Sequence, residues 1–122
     1  MTMYFSFAIS DSMFSSDCSV VRRSIDPEYV KVVKDMLCGD YVSALNPSHI
    51  PTIKAAKERF DLDLKVPEKA PIVELKIGDC LIVMSVRGLP RLGGDRHEYT
   101  ADEIAKATFA FSAWFVEKIP NP

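Results

Sequence analysis

The chain is poor in the residues that most simply announce a function. It has three cysteines, Cys18, Cys38 and Cys80, an odd number at wide spacings with no CxxC pair. That argues against a disulfide framework and a cysteine-based zinc site, and leaves the thiols as small hydrophobes of a reducing compartment. Only two histidines are present, His49 and His97, and the acids are scattered. No metal ligand set and no paired carboxylates of a glycosidase can be assembled from them. There is no GxGxxG and no Walker lysine, so no nucleotide-triphosphate motif and no cofactor are indicated. Positive charge is not in excess: 15 Lys and Arg face 17 Asp and Glu, a net charge of -2. Bulk electrostatics therefore offers nothing to long nucleic acid, and an anionic ligand must be met by a local cluster. No apolar run approaches the roughly 18 residues of a membrane span. The opening MTMYFSFAIS lacks a basic n-region and meets Asp11 at once, so it reads as a strand rather than a signal peptide, and no membrane partner is expected.

What is present suits one small α/β domain over residues 1–122, with 48% hydrophobic residues to fill a core. Met3 to Ile9 is an aromatic and β-branched run that predicts a buried strand. Ser10 to Asp17 reads as a loop anchored by Met13 and Phe14, and Ser19 to Ile25 as a second strand. Asp26-Pro27-Glu28 starts a helix that Gly39 closes. Asn46 to Thr52 is a turn into a second helix that begins near Ser48 or His49 and carries Ile53, Ala56 and Phe60 on one face. Ile72 to Ile77 and Cys80 to Val86 predict strands of a hairpin around Gly78-Asp79. Arg87 to His97 reads as a long loop. Thr100 and Glu103 form a capping box for a helix to about Lys106, and Thr108 to Val116 is a last strand. The expected order is β-β-α-α-β-β-α-β, a mixed sheet with helices packed on it.

His49 is the leading candidate for chemistry. It follows a Pro-Ser turn at a helix start, where free amides attract phosphate, and histidine is the side chain that exchanges a proton near neutral pH. Those properties suit a general acid on a phosphodiester leaving oxygen. Judged by spacing alone, the more ordinary reading is a histidine that only packs or hydrogen-bonds at a helix start. The loop from Arg87 holds Arg87, Arg91 and Arg96, His97 and three glycines. Arginine meets phosphate oxygens in a two-pronged way, and a glycine-containing loop of this length suits a lid as well as a solvated turn. Ser10 and Ser12 offer hydroxyls to a ligand or to their own turn, and no adjacent base marks either as a nucleophile.

Three blocks together resemble the small viral anti-CRISPR ring nucleases. Phe7-Ala8-Ile9-Ser10-Asp11-Ser12-Met13-Phe14 resembles that family's Asn-Ala-Phe-Ser-x-Asn-Met-Leu loop. Ser48-His49-Ile50-Pro51-Thr52-Ile53 resembles its Gly-His-x-Ser-Thr-Ile. Val73 to Asp79, Leu81-Ile82-Val83 and Pro90-Arg91-Leu92 resemble its Val-x-Val-Lys-Leu, Gly-Asp, apolar strand and Arg-Leu series. The departures are specific. Pro71-Ile72 stand where the family has Asn-Arg, Gly94 where it has a carboxylate, Ser48 for a glycine and Pro51 for a serine. Asp95 and Glu98 are the acids near the missing carboxylate.

The resemblance implies a homodimer whose shared pocket holds cyclic tetra-adenylate, the messenger of type III CRISPR defence. It implies a metal-independent phosphodiesterase without cofactor. His49 is then the general acid, the substrate's own 2′-hydroxyl the nucleophile, and linear fragments with 2′,3′-cyclic phosphate the products. Arg91 is expected on phosphate and the Ser10 loop on the ring, with Ser12, Arg87 and Arg96 as further ligand contacts. The rival expectation is a non-catalytic sponge that binds and withholds a cyclic nucleotide immune signal. Either protein would be cytoplasmic, in the host cell if viral.

Overall fold

The apolar runs of the sequence converge in one five-stranded sheet. The computed structural model describes residues 2–14, 17–92 and 98–120. Within them the order is β1 (Met3–Ser6), β2 (Cys18–Ile25), α1 (Val30–Met36), β3 (Val42–Ser43), α2 (Ile50–Phe60), β4 (Cys80–Arg87), α3 (Ala101–Lys106) and β5 (Thr108–Lys118). The strands lie in the order β2-β5-β4-β1-β3. β1 runs parallel to both β3 and β4, and β5 antiparallel to β2 and β4. The sheet is therefore mixed, as the sequence predicts.

β4 explains itself by composition. Cys80, Leu81, Ile82, Val83 and Met84 are consecutive and all buried, so both faces of this strand are covered. On one face Val33 of α1, Ala55 and Ala56 of α2, and Ile104 of α3 pack on Phe5, Ile82, Met84 and Phe111. Phe60 meets Phe109 and Phe111 edge-on, with centroids 5.1 and 5.2 Å away. Phe109 and Phe111 are buried, and full burial of such a ring contributes roughly 1.5–3 kcal/mol relative to an exposed one. On the other face no α-helix packs among the described residues. Leu81, Val83 and Val116 are covered there by Val73 and Leu75, with Ile9, Met13 and Phe14 beside them.

The helix starts follow the predicted chemistry. Asp26 accepts a hydrogen bond from the Glu28 amide, and a short 3₁₀ turn over Pro27–Tyr29 leads into α1. The box at α3 is complete: Thr100 Oγ1 accepts from the Glu103 amide at 3.1 Å and Glu103 from the Thr100 amide at 2.9 Å. α2 begins at Ile50 after a 3₁₀ turn over Pro47–His49, beside the expected start, and buries Ala55 and Ala56.

Two expectations are corrected. Residues 72–77 form no hairpin with β4; Leu75 makes only an isolated parallel bridge to Phe14. Both edges of β4 are already occupied, by β1 and β5, so no position is left for another strand. The turn is held by local bonding and by a bond to β5 instead. Asp79 accepts from the Lys76 amide, and Gly78, at φ +94°, donates its amide to the Val116 carbonyl. The first strand ends at Ser6 rather than Ile9, because Ser6 Oγ accepts the Ala8 amide and turns the chain off the sheet. The two-residue β3 is too short to leave a periodic signal.

Candidate functional site

A cleft opens beyond the carboxyl ends of β1 and β3, the end of an open α/β sheet where ligands characteristically bind. Its volume is about 180 Å³, and its walls are Ser6, Phe7 and Ala8 after β1, Met13, then Ala44, Leu45, Asn46 and His49 after β3.

The Asn46-Pro47-Ser48-His49 segment builds one wall from local chemistry. The Asn46 side chain accepts from the Ser48 amide at 2.9 Å. Pro47 needs no amide partner, and the His49 amide donates to the Asn46 carbonyl at 2.9 Å. This lock sets His49 immediately before α2, exposed, with its ring 6.4 Å from that of Phe7 and the planes 34° apart. Phe7 is itself braced edge-on by the fully buried Phe5, at 5.9 Å and 80°. His49 thus stands at the rim of the cleft and at a helix N-terminus, the position the sequence predicts.

Ser10 and Ser12 hydrogen-bond each other at 2.9 Å across the short turn Asp11–Met13. Both are exposed; Met13, from the same turn, reaches the cleft wall and the serines stay beside it. Arg87 ends β4, four residues past Val83, which pairs with Ser6. That places Arg87 roughly 13 Å further along the strand direction, toward the same end of the sheet as the cleft. Arg91 is exposed in the following segment, and neither arginine lines the cleft. Arg96, His97 and Asp95 lie outside the described residues. Glu98 pairs with Lys54 of α2 at 2.6 Å, so the far end of the arginine loop is joined to the helix that His49 precedes. Lys57 hydrogen-bonds Asp61 and Asp63, which raises its pKa and engages it at the opposite end of α2.

Phe7 and Asn46 are the wall residues that sequence reasoning placed in a strand and a turn without a role. The Asn-Pro-Ser signature made the turn legible; that Phe7 would face His49 depends on the parallel pairing of β1 with β3. A wider depression of about 630 Å³ at the other end of α2 is lined by Asp26, Glu28, Glu58, Arg59 and Asp61 among others, and its carboxylates are unsuited to an anion. Among the described residues no group of His, Cys, Asp or Glu is gathered that could hold a metal ion, and no helix is long and apolar enough to cross a membrane.

No family model and no curated protein matches the sequence. Among solved structures the chain is similar to B116 of Sulfolobus turreted icosahedral virus, with a TM-score of 0.68 and 17% identity. The likeness covers 94% of this chain and 99% of that one, so the two share a fold over essentially their full described length.

Proposed function

We propose that the chain is a viral ring nuclease that opens cyclic tetra-adenylate and so suppresses type III CRISPR defence. One observation carries this reading. Two of the blocks that resemble the ring nucleases, Phe7–Phe14 and Ser48–Ile53, are distant in sequence and supply walls of the same cleft. The shared fold with a protein of an archaeal virus supports the viral setting.

The proposed chemistry uses the substrate as its own nucleophile. A ribose 2′-hydroxyl attacks the adjacent phosphorus, forming a P–O2′ bond as the P–O5′ bond breaks. The departing O5′ takes a proton from the His49 imidazolium, and the 2′-hydroxyl proton passes to water. The products are linear, with a 5′-hydroxyl at one end and a 2′,3′-cyclic phosphate at the other. The amides at the start of α2 attract the phosphate, and Arg91 with Arg87 and Arg96 neutralises charge around the ring. In this reading a homodimer completes the pocket, Ser10 and Ser12 contact the ring, and neither metal nor cofactor takes part.

One observation favours the rival sponge. Among the described cleft-lining residues His49 alone can move a proton, so none of them beside it removes the proton from the 2′-hydroxyl. This makes cleavage slow, and at its limit the protein holds the messenger without cutting it. The test is incubation of the protein with cyclic tetra-adenylate in EDTA, with products read by liquid chromatography. Linear di-adenylate with cyclic phosphate ends supports the nuclease. Intact ligand in a stable complex supports the sponge, and intact ligand without binding contradicts both.

A further inference from the structure

The composition of the cleft beside His49 separates two parts of a nucleotide ligand. Phe7, Met13, Ala44 and Leu45 supply apolar wall, and among the described residues no lysine, arginine, aspartate or glutamate lines it. A phosphate placed inside would lose its water with no counter-charge to replace it. An uncharged flat ring meets no such penalty. The Phe7 ring, half-buried and braced edge-on by Phe5, offers it a stacking surface held in place.

The hydrogen-bonding groups of the cleft have a matching bias. Ser6 Oγ accepts the Ala8 amide, which leaves its own O–H to donate. Asn46 Oδ1 accepts the Ser48 amide, which leaves its NH₂ to donate. Two donors and an aromatic wall call for a planar ligand with acceptor nitrogens along its edge. We infer that the cleft formed by Ser6, Phe7, Asn46 and His49 is a nucleobase subsite that seats a purine on Phe7, with the adjoining phosphate outside at the His49 rim. The inference rests on the proposed function only for the larger ligand that carries the base; the subsite itself is defined by the nucleoside.

The test therefore uses adenosine, which has no phosphate, and the full chain labelled for NMR. Adenosine at millimolar concentration is expected to shift the signals of Phe7, Ala8, Met13, Ala44 and His49, and uridine to shift them less. Phe7→Leu, which keeps apolar bulk and removes the ring, is expected to weaken adenosine binding by about 5–150-fold, the range that base–aromatic stacking supplies. Cleft signals unmoved by adenosine, or moved equally by uridine, overturn the subsite, and neither result depends on a variant that folds. Unchanged adenosine affinity in a natively folded Phe7→Leu protein also overturns it. Cleavage of cyclic tetra-adenylate measured on the same samples reports on the nuclease reading separately. Cleavage without adenosine docking removes the subsite and keeps the nuclease, and docking without cleavage does the reverse.

Discussion

The ring of Phe7 lies 6.4 Å from the ring of His49, although one residue follows β1 and the other precedes α2. The contact exists because β1 and β3 are parallel neighbours, with Tyr4 opposite Val42 and Phe5 opposite Ser43. Parallel pairing brings both strands to the same end of the sheet. The segments that leave them, Phe7-Ala8 and Ala44 to His49, then face each other across one cleft.

Asn46 is the residue that holds His49 in register with that contact. Its side chain caps the turn at Ser48, and loss of such a cap typically costs about 1 kcal/mol. Asn46→Ala is expected to lower stability by that amount in urea unfolding, while Asn46→Asp is expected to retain most of it. Equal stability of wild type and Asn46→Ala would show that the cap does not fix the turn.

Asp79 joins the start of the chain to the turn before β4. One carboxylate oxygen accepts the Thr2 amide at 3.1 Å and the other the Lys76 amide at 2.8 Å. The residue is buried, so Asp79→Ala leaves two amides without their acceptors and is expected to cost about 1–3 kcal/mol. Asp79→Asn keeps one acceptor and is expected to cost less. Denaturant midpoints of the two variants in the reverse order would contradict this assignment.

Much of the fold was legible before the structure because its signals are local. Asp26, Thr100 with Glu103, and Asn46-Pro47 each announce a helix start through a single side chain and a nearby amide. The departure of residues 72–77 from a paired strand has a non-local cause. The alternating pattern of Ile72 to Ile77 is that of a strand, but β4 already has β1 and β5 at its edges, and occupancy cannot be read from a pattern. The site divides in the same way. His49 was legible from its position before a helix, whereas Phe7 and Asn46 acquire a shared role only once β1 and β3 are paired. Ser10, Ser12, Arg87 and Arg91 lie outside the cleft wall, and Arg96 lies outside the described residues.

Burial pushes the Cys80 thiol from 9.0 up to about 11. The folded chain therefore disfavours the thiolate that the unfolded chain forms more readily. Its contribution to stability is intact below about pH 9 and is lost as pH rises toward about pH 11. Tyr4 acts with the same sign, its pKa raised by burial first and then by Asp79 and Glu74. Melting temperatures are expected to fall on the alkaline side, and Cys80→Ala, though less stable overall, is expected to fall less steeply over that range. Under native conditions a thiol reagent is expected to label exposed Cys38 readily and Cys80 only after unfolding. Rapid native labelling of Cys80 would contradict its burial.

Arg91 has a different expected signature from His49. A charged hydrogen bond to phosphate contributes about 1.5–3 kcal/mol, so Arg91→Ala is expected to weaken cyclic tetra-adenylate binding roughly 10–150-fold. Calorimetric titration checks this, and unchanged affinity removes Arg91 from the site.

In the proposed reaction His49 delivers the proton that lets the ring open. Its most direct test is single-turnover cleavage of cyclic tetra-adenylate by wild type and His49→Ala, with ligand affinity measured on both proteins. His49→Ala is expected to lower the rate of appearance of 2′,3′-cyclic phosphate ends ~10²–10⁴-fold, with affinity preserved within a few-fold. A rate that falls by less than about threefold, in a variant that still binds, would contradict the role of His49 and with it the mechanism.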